Sequence, residues 1–342
     1  MSRPMRLAPF VLVMLASILA GYAALAAFPH DPYIRYQSFK GTIFGRLTWI
    51  YDRIHHDVAP IDVVVLGSSR SGAAVVPPLL EEALAARCGR PIKVANFALP
   101  ASGMDIRLTL LDELLETKRP RLVVFDTVER LPRDGHQAFA DLARTSEVLG
   151  SPLLINRNLP SNLIRLPVRQ VQLAAATLAP TAFGYTGSFI PENYAGTTIR
   201  IEPADILDNY RLPRADMTPQ EHAALLDADS ARRLAGLTPP LFGGSIAPLE
   251  FGVSRHYVRA VHDRARASGA RFAILFFPFY KGPAAPLDRD WLEGVAPVWS
   301  VPGVSGDPAN YIDTAHLGRK PQAQVQAWLA DRIAGELGCK AG

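Results

Sequence analysis

Ile61-Asp62-Val63-Val64-Val65-Leu66-Gly67-Ser68-Ser69-Arg70-Ser71-Gly72 is the stretch on which the fold turns. Its first six residues are apolar but for one aspartate and rich in β-branched side chains. Such a run reads as a strand buried on both faces, the kind found in parallel sheets. Gly67 and the serines after it have the composition of a tight strand-to-helix turn. A helix is expected from Pro77 to Arg87, with Leu79, Leu80, Ala83 and Leu84 apolar, stopped by Cys88-Gly89-Arg90-Pro91.

The same alternation continues downstream. Ile92 to Phe97 reads as a second strand. Met104 to Thr117 reads as a helix with Ile106, Leu110, Leu111, Leu114 and Leu115 on one side. Pro120 breaks it, and Leu122 to Phe125 is a third strand. The pattern returns near the end. A helix is expected from Ser254, placed to cap it, to Ala267. Strands follow at Arg271 to Phe277 and Val298 to Val301, and a closing helix at Pro321 to Leu337. Strand alternating with helix predicts right-handed βαβ units and a parallel, doubly wound α/β sheet. Residues 134 to 250 are less regular. Helices at His136–Leu149, Leu163–Leu178 and Pro219–Leu234 would make this an insertion of helices and loops capping the sheet edge, since a structureless loop of that length is improbable.

Upstream of the first strand, Arg3 and Arg6 precede an uncharged run from Leu7 to Phe28. Its length suits a membrane-spanning helix, and positive residues on its N-terminal side keep that end cytoplasmic. The rival reading is a cleaved signal peptide, because Ala24 to Ala27 resemble a cleavage site. The run is longer than a usual signal core, which favours the uncleaved anchor over residues 1–28. Both readings put the rest of the chain outside the cytoplasm, in the periplasm or its equivalent. Residues 29–60 read as a juxtamembrane connector, helical around Ile43 to Ile54, and 61–342 as the folded domain.

The 342 residues are about half apolar and one fifth charged, with a formal net charge of +4. No Lys/Arg run stands out, so a nucleic-acid partner is not expected. Cys88 and Cys339 are too few for a disulfide scaffold and lack metal-ligand spacing; they form either one bridge in an oxidising compartment or two free thiols. No metal or cofactor is expected.

Ser69 follows the first strand, at the edge where open parallel sheets hold their sites. Backbone N–H groups and the dipole of a helix start there would favour a developing oxyanion. Plain helix capping by serine is the competing explanation. Near the end, Tyr311-Ile312-Asp313-Thr314-Ala315-His316 supplies a base and a group to orient it. Asp313 can turn its carboxylate onto the Nδ1–H of His316, leaving Nε2 for a serine. Asp52-Arg53-Ile54-His55 has the same spacing but precedes the first strand and is not expected to reach Ser69.

Gly67-Ser68-Ser69 after the first strand, Asn96…Gly103 after the second, and Asp313-x-x-His316 before the last helix resemble the SGNH (GDSL-type) hydrolase superfamily. The resemblance implies a flavodoxin-like three-layer fold with a five-stranded parallel sheet ordered 2-1-3-4-5. It implies Ser69 as nucleophile, His316 as base, Asp313 as its orienting acid, and Ser69 and Gly103 N–H groups as oxyanion donors. Two departures stand out. Ser68 replaces the family's aspartate, and Gly-Ser-Ser is also similar to membrane-anchored D-alanyl transfer proteins of teichoic acid modification and to alginate-type O-acetyltransfer proteins. The family's Gly-x-Asn after the third strand is replaced by Phe125-Asp126-Thr127-Val128-Glu129-Arg130, so either the Ser69 and Gly103 N–H groups carry the oxyanion alone or Thr127 or Arg130 stands in as a donor. Loss of one donor costs on the order of a hundredfold or more in rate. That favours a slow acyltransferase with a dedicated donor, acting on an envelope glycan beside a membrane-bound O-acyltransferase. An esterase, or a non-catalytic glycan-binding scaffold, are the alternatives.

Other residues carry weaker expectations. Arg70 and Arg130 are candidate anion or substrate contacts; for Arg70 a solvated helix-start arginine is the alternative. His55-His56 reads as interfacial, Asp208-Asn209-Tyr210 as lining a groove, and Phe276-Phe277-Pro278-Phe279-Tyr280 as core or the wall of an acyl pocket.

Overall fold

Five short apolar runs become five strands. In the computed structural model, which describes residues 7–153, 155–199, 217–237 and 241–339, these are β1 (Val63–Leu66), β2 (Val94–Asn96), β3 (Leu122–Thr127), β4 (Arg271–Phe276) and β5 (Val298–Ser300). They form one all-parallel sheet ordered β2-β1-β3-β4-β5. Val65 is in register with Asn96 on one side and Val124 on the other. Because all strands run the same way, the turns after β1, β2, β3 and β4 emerge along one edge.

The strands are apolar throughout because both faces are covered. Val64, Leu66, Val123, Phe125 and Ile274 point into one buried cluster; Val63, Val65, Val124 and Leu275 point into the other. The first face is covered by α3 (Arg46–His55), α6 (Asp105–Thr117) and α11 (Gly252–Ala267), through residues such as Ile50, Leu110 and Val258. The second is covered by α5 (Pro77–Cys88) and α13 (Gln322–Leu337), through Leu80, Leu84, Val325, Leu329 and Ile333. Each such leucine or isoleucine withdrawn from water stabilises the fold by about 1.5–3 kcal/mol before entropic costs. Cys88, the last residue of α5, and Cys339, just past α13, form a disulfide with Cα atoms 4.8 Å apart.

The remaining helices are α1 (Leu7–Ala26), α2 (Pro32–Gln37), α4 (Ser69–Ala74), α7 (Phe139–Leu142), α8 (Thr145–Leu149), α9 (Leu159–Leu178), α10 (Pro219–Ala235) and α12 (Arg289–Glu293). α1 is long and apolar enough to cross a membrane, and most of it stands clear of the rest of the chain.

Three expectations need correction. Residues 29–60 are not a connector: Tyr36, Leu47, Ile50 and Ile54 are fully buried in the first-face cluster, so α2 and α3 are part of the domain. The helix expected over 136–149 is broken into α7 and α8. Arg144 between them is extended, and its N–H donates to the Glu147 carboxylate at 2.6 Å, so the second piece starts afresh with its own cap. Ser254 does not cap a helix. The helix starts at Gly252, and the Ser254 hydroxyl donates instead to the Pro132 carbonyl.

Candidate active site

Gly67 is the residue that lets the chain turn out of β1. A Cβ there would lie 1.8 Å from Ser71 Oγ and 2.8 Å from Asp126 Oδ2, so only glycine fits. The turn is built on Asp126, at the end of neighbouring β3. Its Oδ2 accepts hydrogen bonds from Ser68 N (2.8 Å), Ser68 Oγ (2.8 Å) and Ser71 Oγ (2.6 Å). Its Oδ1 pairs with Arg107 at 2.8 Å, and a second guanidinium N–H donates to the Asp126 carbonyl. Asp126 and Arg107 are 1 % exposed, so the pair lies inside the protein, where breaking one partner is far more costly than at the surface. Ser68 caps α4, and Ser69 follows as its first residue.

On the other side stands the turn 311–317. An antiparallel bridge joins Tyr311 to Leu317, and Ile312 N donates to the His316 carbonyl at 2.9 Å. The turn is tied to the end of β4: Tyr280 N donates to Thr314 O (2.8 Å) and Tyr311 Oη to Pro278 O (2.8 Å). α10 ties it again, through His222 Nε2 to Tyr311 O (3.0 Å) and Ser230 Oγ to Tyr280 O (2.7 Å).

These two turns bring Ser69, His316 and Asp313 together. Ser69 Oγ lies 2.7 Å from His316 Nε2. His316 Nδ1 lies 2.7 and 2.9 Å from the two Asp313 oxygens. A carboxylate can only accept, so Nδ1 carries the proton, and Nε2 is left to accept from the serine hydroxyl. Burial raises the Asp313 carboxyl, but the His316 ring and the backbone N–H groups of Ala315 and His316 outweigh it and hold the group below its ordinary value. Asp313 therefore stays ionised, as an orienting acid requires. Ser69 is 8 % and His316 2 % exposed, so their hydrogen bond is shielded from water.

The other expected site residues divide. Among the described residues, neither the Ser69 nor the Gly103 backbone N–H makes a hydrogen bond to the protein. Gly103 is glycine for a packing reason as well, since a Cβ there would sit 2.1 Å from His136 N. Thr127 is buried at the end of β3, and its hydroxyl faces the Val128 carbonyl at 3.4 Å. Arg70 is neither solvated nor open to an anion. It is 3 % exposed, pairs with Glu129 at 2.6 Å and donates to Phe277 O at 3.1 Å. Glu129 also binds Arg233 of α10 at 2.6 Å. Burial raises the Glu129 carboxyl, and these two guanidinium groups more than reverse that, to about 2.

Arg130 does line a cleft of about 370 Å³, formed by Ala101, Ser102 and Gly103 after β2 and by residues 130–135 after β3. Its Nε donates to Leu237 O at 2.6 Å, and its guanidinium lies 5.5 Å from the Phe251 ring centre. Ala101, in the left-handed region at φ 72°, holds this loop in a conformation that costs roughly 1–2 kcal/mol for a residue with a Cβ. Asn96 fastens the loop to α4, its Nδ2 donating to the Ser71 and Val75 carbonyls at 3.0 Å each. Asp105 fastens the far side by accepting from His136 N at 2.7 Å. Complete burial raises the Asp105 carboxyl to about 7. His136 Nε2 donates to Pro100 O at 2.6 Å while Nδ1 accepts from Ala138 N at 3.1 Å, which fixes a neutral ring, and burial lowers it to about 4.

Phe276, Phe277, Phe279 and Tyr280 are all buried and belong to the core rather than to an open pocket. The Asp52–His55 copy stays away from Ser69: His55 Nε2 meets Glu113 of α6 at 2.8 Å. Glu116 is close enough to join them as a ligand set, but Arg144 pairs with both glutamates and Arg35 lies 3.6 Å from Glu113. His56 stacks on Phe189 with ring centres 4.3 Å apart. Asp208, Asn209 and Tyr210 lie outside the described residues.

Sequence reasoning passed over Asp126, Arg107 and Glu129. A charged residue closing the apolar run Leu122–Phe125 was the available signal, because a carboxylate at the end of a buried strand needs a partner. No family model matches the chain, and no curated protein is recognisably similar to it.

Proposed function

We propose that the chain is a serine acyltransferase of SGNH type, with a flavodoxin-like layered fold, anchored by α1 and facing the cell envelope. The observation that carries this is the unbroken relay from Ser69 Oγ through His316 to Asp313, with contacts of 2.7 Å on each side of the ring. A helix-capping serine has no need of an imidazole and carboxylate aligned behind it.

In this reading His316 Nε2 takes the Ser69 proton as Oγ bonds to the carbonyl carbon of an ester or thioester donor. The Ser69 and Gly103 N–H groups receive the oxyanion. Collapse of the tetrahedral species expels the donor's alcohol or thiol, which takes the proton back from His316. A glycan hydroxyl then attacks the acyl-serine by the same steps in reverse. The cleft lined by Arg130 supplies room for one of these partners, and the Cys88–Cys339 bridge suits an oxidising compartment.

Full-length protein in detergent, treated with a fluorophosphonate probe, is expected to label on one serine. Ser69→Ala should abolish the labelling, and His316→Ala should slow it by several orders of magnitude. Undiminished labelling of Ser69→Ala removes the proposed nucleophile. Turnover of p-nitrophenyl acetate with and without a sugar acceptor then separates transfer from simple ester hydrolysis.

A further inference from the structure

α1 packs on the domain through its last turns, and α9 is the helix that receives it. Tyr22 Oη donates to Leu163 O at 2.8 Å, and Gln170 Nε2 donates to Ala26 O at 3.0 Å. Thr145 Oγ1 also donates to Ala26 O at 3.0 Å. Further on, Asp31 N donates to Thr177 Oγ1 at 2.9 Å. These contacts order the two stretches in parallel, Tyr22 beside Leu163, Ala26 beside Gln170 and Asp31 beside Thr177.

Depth follows from length. α1 has 20 residues. At about 1.5 Å per residue that is about 30 Å, the thickness of the hydrocarbon layer, so a spanning α1 has no length to spare. Tyr22 stands about 6 Å below Ala26, and its side chain leans further toward the helix N-terminus. The first turns of α9, which hold Tyr22, must then stand at the outer rim of the bilayer. Their outward face suits that position. Ile164 is 72 % exposed and Val168 57 % exposed, one helical turn apart, with exposed Pro160 one turn earlier. Side chains of this kind at 160, 164 and 168 form an apolar row at this level, with exposed Val171 and Leu178 further along the same helix.

We propose that the row Pro160, Ile164, Val168 enters the headgroup and acyl boundary of the leaflet from which α1 emerges, giving the domain a second hold on the membrane. This rests on the anchor reading of α1. It also sets the orientation of the cleft. Asn158, at the start of α9, donates to Gly135 O at 3.4 Å, and Arg157 pairs with Asp134 at 3.6 Å. Asp134 and Gly135 line the cleft, as does Gly103, so in this reading one rim of that cleft stands at the bilayer surface.

Depth can be read with a fluorescent probe. Leu15→Cys, Ile164→Cys and Leu178→Cys replace exposed side chains, while the native cysteines stay in their disulfide. Each full-length variant is labelled with an environment-sensitive fluorophore under non-reducing conditions. It is then reconstituted into phosphatidylcholine–phosphatidylglycerol vesicles carrying spin-labelled lipids. The probe at 15 should lose fluorescence to deep spin labels and the probe at 164 to shallow ones. The probe at 178, about 21 Å further along α9, should lose none. A probe at 164 as unquenched as that at 178, with 15 quenched, overturns the second membrane contact and leaves the anchor standing. An unquenched probe at 15 overturns the anchor and with it this inference.

Discussion

Glu129 holds two arginines, one of them next to the candidate nucleophile. Glutamine there keeps the shape and removes the charge, leaving Arg70 buried without a counter-ion. Breaking a buried pair in this way costs about 3–5 kcal/mol. Glu129 titrates at about 2 in the fold, below its ordinary 4.5. Its contribution is therefore complete above about 4.5 and is lost as pH falls toward 2. Thermal melts should show Glu129→Gln well below wild type at neutral pH, with the gap closing in acid. Equal melting temperatures at neutral pH would show that the pair contributes nothing. The sequence carried Ser69, Asp313 and His316 on its face, because each sits in a short local pattern. Asp126, Arg107 and Glu129 were hidden because their roles depend on which strand lies beside β1 and which side chains β3 delivers to its end. Arg70 was misread for the same reason: nothing near it in sequence announces Glu129.

Among elements, those with a strong period or a β-branched run were legible to within a few residues. β1, β3, α5, α6 and α13 are examples. The break between α7 and α8 was missed because a cap made by Glu147 on Arg144 N outbids helix continuation, and helical spacing alone cannot show it. α5 and α13 illustrate what pairing of elements adds. They already pack through Leu80, Leu84, Leu329 and Ile333, and the disulfide closes a loop of 251 residues across their ends. A bridge of this kind typically stabilises by about 2–4 kcal/mol, acting mainly on the unfolded chain. Reduction should therefore lower the melting temperature while fluorophosphonate labelling of the still-folded protein is unchanged, since the 16 residues of α13 lie between the turn 311–317 and Cys339. Loss of labelling before unfolding would mean that the bridge positions the turn 311–317.

At the scale of the molecule, sheet order and the serine, histidine and aspartate constellation were readable, while the place of residues 29–60 was not. That segment mixes aromatic and basic residues without a clean period, and only the first face of the sheet, which it helps to cover, makes sense of Tyr36, Leu47, Ile50 and Ile54. Two truncations distinguish the roles. A chain starting at Pro29 loses the hydrogen bonds to Tyr22 and Ala26, each worth about 1 kcal/mol, and should fold with a melting temperature lower by several degrees. A chain starting at Ile61 loses four fully buried side chains from one face and should be insoluble or molten. A soluble, cooperative domain from Ile61 would return the segment to the status of a tether. If the wall and the leash are one piece of chain, a cut anywhere between Pro29 and the first strand cannot release an intact fold, and any folded domain found free of α1 would have to come from cleavage upstream of Pro29.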